Sequence, residues 1–190
     1  MLVYARYEFE GVVHYGLVSE DRINELRGGL FDPPVKTGRE VALSSIKLLS
    51  PCEPPKILAV GLNYRSHLGS RPAPNVPGIF YKPVSSIQNP DGPVTIPEGA
   101  VDVHYEGEVV VVIGKTISKA SREEAQAAIF GVTCGNDISD RNWQRGDGKD
   151  LQWWRAKGSD TFSPFGPYIV IGLKYGDMGL ETRLNGEIVQ

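Results

Sequence analysis

A chain of 190 residues with 41% hydrophobic side chains can bury a core of its own and need be only one domain, with room for a small appendage. Its formal net charge of −3 with no basic block disfavours a nucleic-acid partner, and its longest apolar run is far too short to span a bilayer. The opening Met1-Leu-Val-Tyr-Ala-Arg-Tyr-Glu8 lacks a cationic segment leading into an apolar stretch, so the chain reads as cytoplasmic, without a membrane partner.

With 22 glycines and 14 prolines the chain is turn-rich, which favours many short strands over a helical bundle. Cys52 and Cys134 are too few and too far apart for a disulfide framework and are expected to be core thiols. Residues 3 to 19 alternate apolar and polar around Glu10-Gly11 and predict a hairpin. A loop follows at 28–34, and a short strand is expected from Val41 to Leu49, before Pro51. A boundary near 50 would set a small N-terminal β subdomain, residues 1–50, before the remainder, 51–190. Lys56-Ile-Leu-Ala-Val-Gly61 predicts a strand whose exit is crowded by Asn63, Tyr64, Arg65, Ser66 and His67. Residues 69–78, rich in proline and small side chains, suit an irregular lid. Short strands are then expected at Ile79–Pro83 and Val94–Pro97, on either side of a Pro90-Asp-Gly-Pro93 turn.

The run from Val101 to Lys115 is dominated by β-branched residues and predicts a strand whose second half is buried on both faces. Ser121-Arg-Glu-Glu124 is a capping box that opens a helix closed by Gly131. Val132 begins another strand, which places Asp137 where strand gives way to loop. A long loop over 145–161 leads to Lys157, a strand follows at Tyr168–Gly172, and Asn185-Gly186 marks a hairpin. That hairpin has barely begun its second arm at Gln190, so a fold with its C-terminal part missing is expected.

Glu106 and Glu108 are two apart on the central strand. Strand side chains alternate faces, so both carboxylates project the same way, roughly 6 to 7 Å apart at their bases. Two acids that close beside an apolar run either raise a pKa or share a cation, and oxygen ligands suit Mg2+, Mn2+ or Ca2+ rather than Zn2+. The bland alternative is a solvated strand face. His67 suits a general base or a structural role, and Lys157 an oxyanion partner or a surface position. Arg141 and Gln144, spaced to project from one turn, suit a substrate carboxylate or plain solvation. No phosphate-binding glycine pattern and no Gly-x-Ser-x-Gly elbow occurs.

Taken in order, these pieces resemble the fumarylacetoacetate hydrolase family. Gly61-Leu-Asn-Tyr-Arg-Ser-His67 is similar to its Gly-x-Asn-Tyr-x-x-His, Phe80-Tyr-Lys-Pro83 to its Phe-x-Lys-Pro, and Tyr105-Glu-Gly-Glu-Val-Val-Val-Val-Ile-Gly-Lys115 to its metal-binding strand. Asn136-Asp-Ile-Ser-Asp-Arg-Asn-Trp-Gln144 and Ala156-Lys-Gly-Ser-Asp-Thr-Phe162 resemble two further blocks. The resemblance covers about residues 50–190, and residues 1–50 resemble the small N-terminal β domain of many bacterial members. It implies a mainly β (α+β) fold, a mixed sandwich or roll of short strands. It further implies a Mg2+ (or Mn2+/Ca2+) site at Glu106, Glu108 and Asp137, His67 as base and Lys157 as oxyanion stabiliser. Substrate contacts would come from Asn63, Tyr64, Lys82, Arg141 and Gln144, and the assembly would be a homodimer.

Two departures shape the functional expectation. Family members that hydrolyse carbon–carbon bonds pair the histidine with a glutamate, in some acylpyruvases a few residues later in the lid and in others nearer the C-terminus, and Leu68 to Ile79 contains no acid. The family's closing Thr-Gly-Thr-Pro block has no counterpart before Gln190. The resemblance therefore implies isomerisation of a 2-oxo or 2-hydroxy-enoic acid, of the 2-hydroxyhepta-2,4-diene-1,7-dioate type found in aromatic catabolism. Acylpyruvase-type hydrolysis and oxaloacetate decarboxylation are the alternatives within the family, and an inactive fragment or metal-stabilised binding module the alternative outside it.

Overall fold

A computed structural model describes residues 1–173 and 178–190, with Ser66 described through its backbone only. The N-terminal hairpin forms as its alternation predicts, β1 (Leu2–Phe9) against β2 (Val12–Ser19), turned by Glu10 and Gly11 at φ 52° and 76°. A strand with no clear alternation follows, β3 (Arg22–Arg27), because the sheet has a core on each face. Ile23 is buried with Ala5, Tyr7 and Val41 on one side, and Leu26 with Tyr4, Leu30, Cys52, Val112 and Ile169 on the other. The strand expected over Val41–Leu49 is divided. Its start belongs to β4 (Val35–Ala42), a 3-10 turn at Leu43–Ser45 breaks it, and β5 (Lys47–Leu48) returns to pair with β1.

Beyond residue 50 come β6 (Ile57–Gly61), the single-turn α1 (Arg65–Leu68) and β7 (Gly78–Lys82), which pairs with β6 as a two-stranded ribbon. After β8 (Ile87–Gln88), residues 94–97 form no strand, contrary to expectation; Val101 then leads to β9 (Val103–His104) and β10 (Gly107–Ile113). Helix α2 (Arg122–Ala127) carries both halves of its capping box, Ser121 Oγ accepting from Glu124 N and the Glu124 carboxylate accepting from Ser121 N. Then follow β11 (Ile129–Asn136), β12 (Ser139–Asp140) and α3 (Arg141–Arg145). The long loop expected over 145–161 contains α4 (Trp154–Gly158), so Lys157 stands on a helical turn. The chain closes with β13 (Ser163–Ile171) and the Asn185-Gly186 hairpin, β14 (Arg183–Leu184) and β15 (Glu187–Ile188).

The main sheet runs β10-β11-β13-β1-β2-β3-β4, so the strands of residues 1–50 join those of 51–190 through the β1–β13 pair. The fold is mainly β, with mixed pairing because β8 lies parallel to β13. Since β10 is an edge of this path, its second half is not buried on both faces: Val112 is 7% exposed, but Val111 and Ile113 are 48% and 50% exposed. Cys52 is buried as expected, but Cys134 is exposed.

One buried acid fixes the corner on which the candidate site is built. Asp140, fully buried, accepts from Val101 N at 2.8 Å and Asp102 N at 2.9 Å through Oδ2, and from Trp143 N at 2.7 Å through Oδ1. It thereby caps α3 and ties the approach to β9 onto the exit of β11. Burial pushes its carboxyl up, but the backbone N–H donors outweigh this and hold it below the usual range. Asp140→Ala leaves three buried donors without a partner and is expected to cost about 3 kcal/mol, at about 1 to 3 kcal/mol for each unmet group with partial relaxation. Thermal unfolding should show this as a fall of about 10 °C, with Asp140→Asn, which keeps an acceptor, falling less.

Candidate metal centre

The site begins with strand register. In the β10–β11 pair Gly107 lies opposite Asn136 and Glu108 opposite Gly135. Beyond that last pair the two strands stay joined, because Asn136 Oδ1 accepts from Glu106 N and Glu106 O accepts from Asp137 N, both at 2.8 Å. The register therefore delivers Asp137, thirty-odd residues downstream in sequence, to the acids of the central strand. Glu106, Glu108 and Asp137 each place a carboxylate oxygen within 4.8 Å of the others.

Three cationic side chains surround this cluster. Lys157 Nζ donates to Glu106 Oε2 at 2.7 Å, Asp137 Oδ2 at 2.6 Å and Ser139 Oγ at 2.7 Å. Lys82 Nζ donates to Asp137 Oδ1 and, at 3.0 Å, to Phe162 O. Arg141 Nη1 donates to Glu106 Oε1 at 2.6 Å and to Gln144 Oε1 at 2.8 Å. Both lysines are 3% exposed, a depth that ammonium groups occupy only when paired. Burial pushes Lys82 down, opposed by the Asp137 carboxylate. Burial likewise pushes Asp137 up, but Lys82 and Lys157 together hold it below the usual carboxylate range.

The lysines come together because α4 packs closely on the end of β7. A Cβ at Gly158 would stand 2.7 Å from Pro83 Cδ, so only glycine allows that approach. Trp153 enters α4 at φ 57° and sets its ring edge-on against Phe80, and Lys157 Nζ lies 5.2 Å from the Phe80 ring centroid.

Glu108 is the uncompensated member. Among the described residues it makes no ion pair and no side-chain hydrogen bond, and its carboxyl is pushed up to about 7 by burial first and then by Asp137 and Glu106. The cluster fits a cation: three converging carboxylates, all-oxygen donors, and one acid whose charge the surrounding lysines leave unmet. The donor set suits a hard divalent ion. Each carboxylate oxygen that accepts from Lys157 or Arg141 keeps a second lone pair for such an ion.

The remaining predicted residues lie around this corner rather than in it. Tyr64 OH accepts from Val109 N at 3.3 Å, next to Glu108, and the His67 ring is 5.9 Å from that of Tyr64. Asn63 and His67 are exposed, and no hydrogen bond among the described residues joins the His67 imidazole to the carboxylates. Arg71 donates to His67 O at 2.9 Å and Leu68 O at 3.2 Å, closing the end of α1. Sequence reasoning assigned no role to Ser139, Asn136 or Asp140, which orient Lys157, Glu106 and α3 respectively. The Asn-Asp-Ile-Ser-Asp spacing held a signal, since residues two apart at a strand exit share a face and so Ser139 follows Asp137 towards Lys157.

A sequence model described as the C-terminal part of fumarylacetoacetate (FAA) hydrolase matches residues 56–190, and one described as "Rv2993c-like, N-terminal" matches residues 4–51. Protein Rv2993c of Mycobacterium tuberculosis is 41% identical over 181 residues, 92% of this chain and 67% of the relative. The oxaloacetate tautomerase fahd2, mitochondrial, of Xenopus laevis is 40% identical over 154 residues, 77% of this chain and 48% of the relative. Among solved structures, 5-carboxymethyl-2-hydroxymuconate delta-isomerase from Mycobacterium smegmatis superimposes with a TM-score of 0.88 at 38% identity. That alignment covers 100% of this chain and 74% of the other. The chain thus spans between about half and three quarters of the length of these proteins.

The Glu108 carboxyl gives a pH signature for the metal-free protein. Folding raises its pKa, so the folded state binds the proton more tightly and stability is greatest at low pH, declining as pH rises through about 7. In excess EDTA the melting temperature is expected to rise from pH 8 to pH 5.5, and Glu108→Gln to remove most of that dependence while exceeding the wild type at pH 8. A wild-type melting temperature flat over this interval would contradict the assignment.

Proposed function

This chain belongs to the fumarylacetoacetate hydrolase family, and from that premise we propose that it moves a proton at the carbon beside a 2-oxo group, interconverting keto and enol forms of a 2-oxo or 2-hydroxy-enoic acid. The observation that carries this reading is the buried corner where Glu106, Glu108 and Asp137 converge against Lys157. These three carboxylates would hold Mg2+, Mn2+ or Ca2+, which when bound supplies a Lewis-acid grip on a substrate carboxylate and its neighbouring oxygen. The names of two similar proteins, a muconate delta-isomerase and an oxaloacetate tautomerase, describe such proton shifts and support the reading.

The chain's own residues divide the work. Lys157 gives its three N–H donors to Glu106, Asp137 and Ser139, so its ammonium is a fixed positive charge that would favour negative charge growing on a nearby enolate oxygen. Lys82 holds Asp137 from the opposite side, which keeps that carboxylate ionised and in place. Arg141 grips Glu106 and Gln144 together, and Asn63, Tyr64 and Arg141 would supply contacts to a substrate acid. His67, exposed on α1 at the rim, takes the proton from the carbon beside the 2-oxo group, and a proton is delivered to the enolate oxygen, from the imidazolium or from solvent.

Carbon–carbon hydrolysis asks for more, a deprotonated water and a base whose charged form a carboxylate stabilises. Between His67 and Lys82 there is no acid. The exposed edge of β10, with Val111 and Ile113 about half exposed, supports self-association as a homodimer. Among the described residues no helix is long and apolar enough to cross a membrane.

Two measurements test this. Millimolar Mn2+ or Mg2+ should raise the melting temperature of the wild type and leave Glu106→Ala unmoved, since a ligand at a hundredfold excess over its dissociation constant stabilises by about 2.7 kcal/mol. In deuterated water with Mg2+, NMR of oxaloacetate or an acylpyruvate should show deuterium entering the enolisable carbon faster than products of cleavage form. His67→Ala should slow that exchange about a hundredfold, in line with the loss of a general base. Cleavage that outruns exchange, of an acylpyruvate or by decarboxylation of oxaloacetate, would establish the hydrolase or decarboxylase reading instead.

A further inference from the structure

Gly107 sits between Glu106 and Glu108, and β10 is an edge of the main sheet. Its backbone N–H and C=O face away from β11. An edge position carrying the metal acids would otherwise have a loose backbone, because nothing in the sheet holds its outer side. Here it is held by the side-chain amide of Gln190. Gln190 Oε1 accepts from Gly107 N at 2.9 Å, and Gln190 Nε2 donates to Gly107 O at 2.8 Å. The amide thus satisfies both groups of one residue, as a neighbouring strand would.

Three further contacts fix the amide's orientation and aim. Thr182 Oγ1 donates to Gln190 Oε1 at 3.3 Å, so that oxygen faces two donors and the –NH2 is left for Gly107 O. Gln190 is itself held across the hairpin, Thr182 N donating to Gln190 O at 3.0 Å. Tyr105 OH donates to Val189 O at 3.2 Å, so residues 105 and 107, on both sides of Glu106, are tied to the adjacent residues Val189 and Gln190. A Cβ at Gly107 would stand 2.1 Å from Thr182 Oγ1, so glycine between the acids is what lets the hairpin reach the strand.

We propose that Gln190 is a positioning residue for the metal centre, clamping Gly107 so that Glu106 and Glu108 keep the separation a divalent cation requires. It touches neither substrate nor cation and acts through the strand backbone. This rests on the proposed cation site at Glu106, Glu108 and Asp137. Groups one step removed from metal ligands commonly contribute about 10- to 100-fold in metal affinity.

The test is Mn2+ binding by the full chain, followed by electron paramagnetic resonance of the free ion, with melting temperature in EDTA measured alongside. Gln190→Met keeps the length and loses both hydrogen bonds; Gln190→Asn keeps the amide but is one methylene too short to span Gly107 N and O. Both are expected to raise the Mn2+ dissociation constant about tenfold or more. Leu184→Ala, at the exposed arm of the same hairpin, should leave the dissociation constant within twofold of the wild type whatever it does to the melting temperature. The proposal is overturned if both Gln190 variants bind Mn2+ within twofold of the wild type, or if Leu184→Ala weakens binding as much as they do. Wild-type protein that binds no Mn2+ would instead sink the cation site itself.

Discussion

Like charges confined out of water set the terms for this fold. Two unit charges 4 Å apart interact by about 4 kcal/mol at an effective dielectric constant of about 20. Three carboxylates within 4.8 Å of one another therefore cannot share a mostly buried corner unless cations share it too. Lys82, Lys157 and Arg141 meet that demand, and each comes from a different element: the end of β7, α4 and α3. Holding them there dictates other features. Gly158 lets α4 close on Pro83, Trp153 accepts a left-handed backbone against Phe80, and Asp140 consumes three backbone donors to pin the turn between β12 and α3. The compensation is uneven. Glu106 and Asp137 have cationic partners on both oxygens, whereas Glu108 has none among the described residues, and that asymmetry leaves room for one more positive charge.

Elements whose cause is local were legible in the sequence. The Glu10-Gly11 hairpin, the capping box at Ser121 and the Asn185-Gly186 hairpin each follow from a few neighbouring residues and form where expected. Elements decided by distant packing were not. Strand β3 hides its period because Ile23 and Leu26 enter cores on opposite faces of the sheet. The run Val109–Ile113 looks buried on both sides by composition, yet an edge position exposes alternate residues, and Cys134 on the neighbouring strand shares that open face. The short helix carrying Lys157 depends on Asp150, whose carboxylate accepts from Trp154 N at 3.0 Å and Arg155 N at 3.1 Å, a cap that glycine-rich surroundings disguise as loop.

The site divides in the same way. The spacing of Glu106 and Glu108 is a local fact of strand geometry and was visible at once. That Asp137 joins them follows from the β10–β11 register, and that Lys82 and Lys157 bracket Asp137 follows from α4 packing on β7; neither can be computed from spacing alone. Family resemblance nominated these residues without saying what they touch. The resemblance implies Lys82 as a substrate contact, and the structure adds that its ammonium lies against Asp137 and Phe162 O.

The contrast between the buried corner and the exposed His67 has a chemical consequence. Groups that stabilise developing charge gain from being dry and fixed, because their dipoles need no rearrangement and water does not compete. A group that exchanges protons with solvent gains from the opposite, and α1 is a single turn whose imidazole is exposed. Arg71, the sole charged residue between Leu68 and Ile79, is spent on the carbonyls that end α1. The segment from Leu68 to Ile79 therefore has no ionised group free for a substrate. On the proposed reading, recognition of an acidic substrate would then fall to the buried cations and the ion held by Glu106, Glu108 and Asp137.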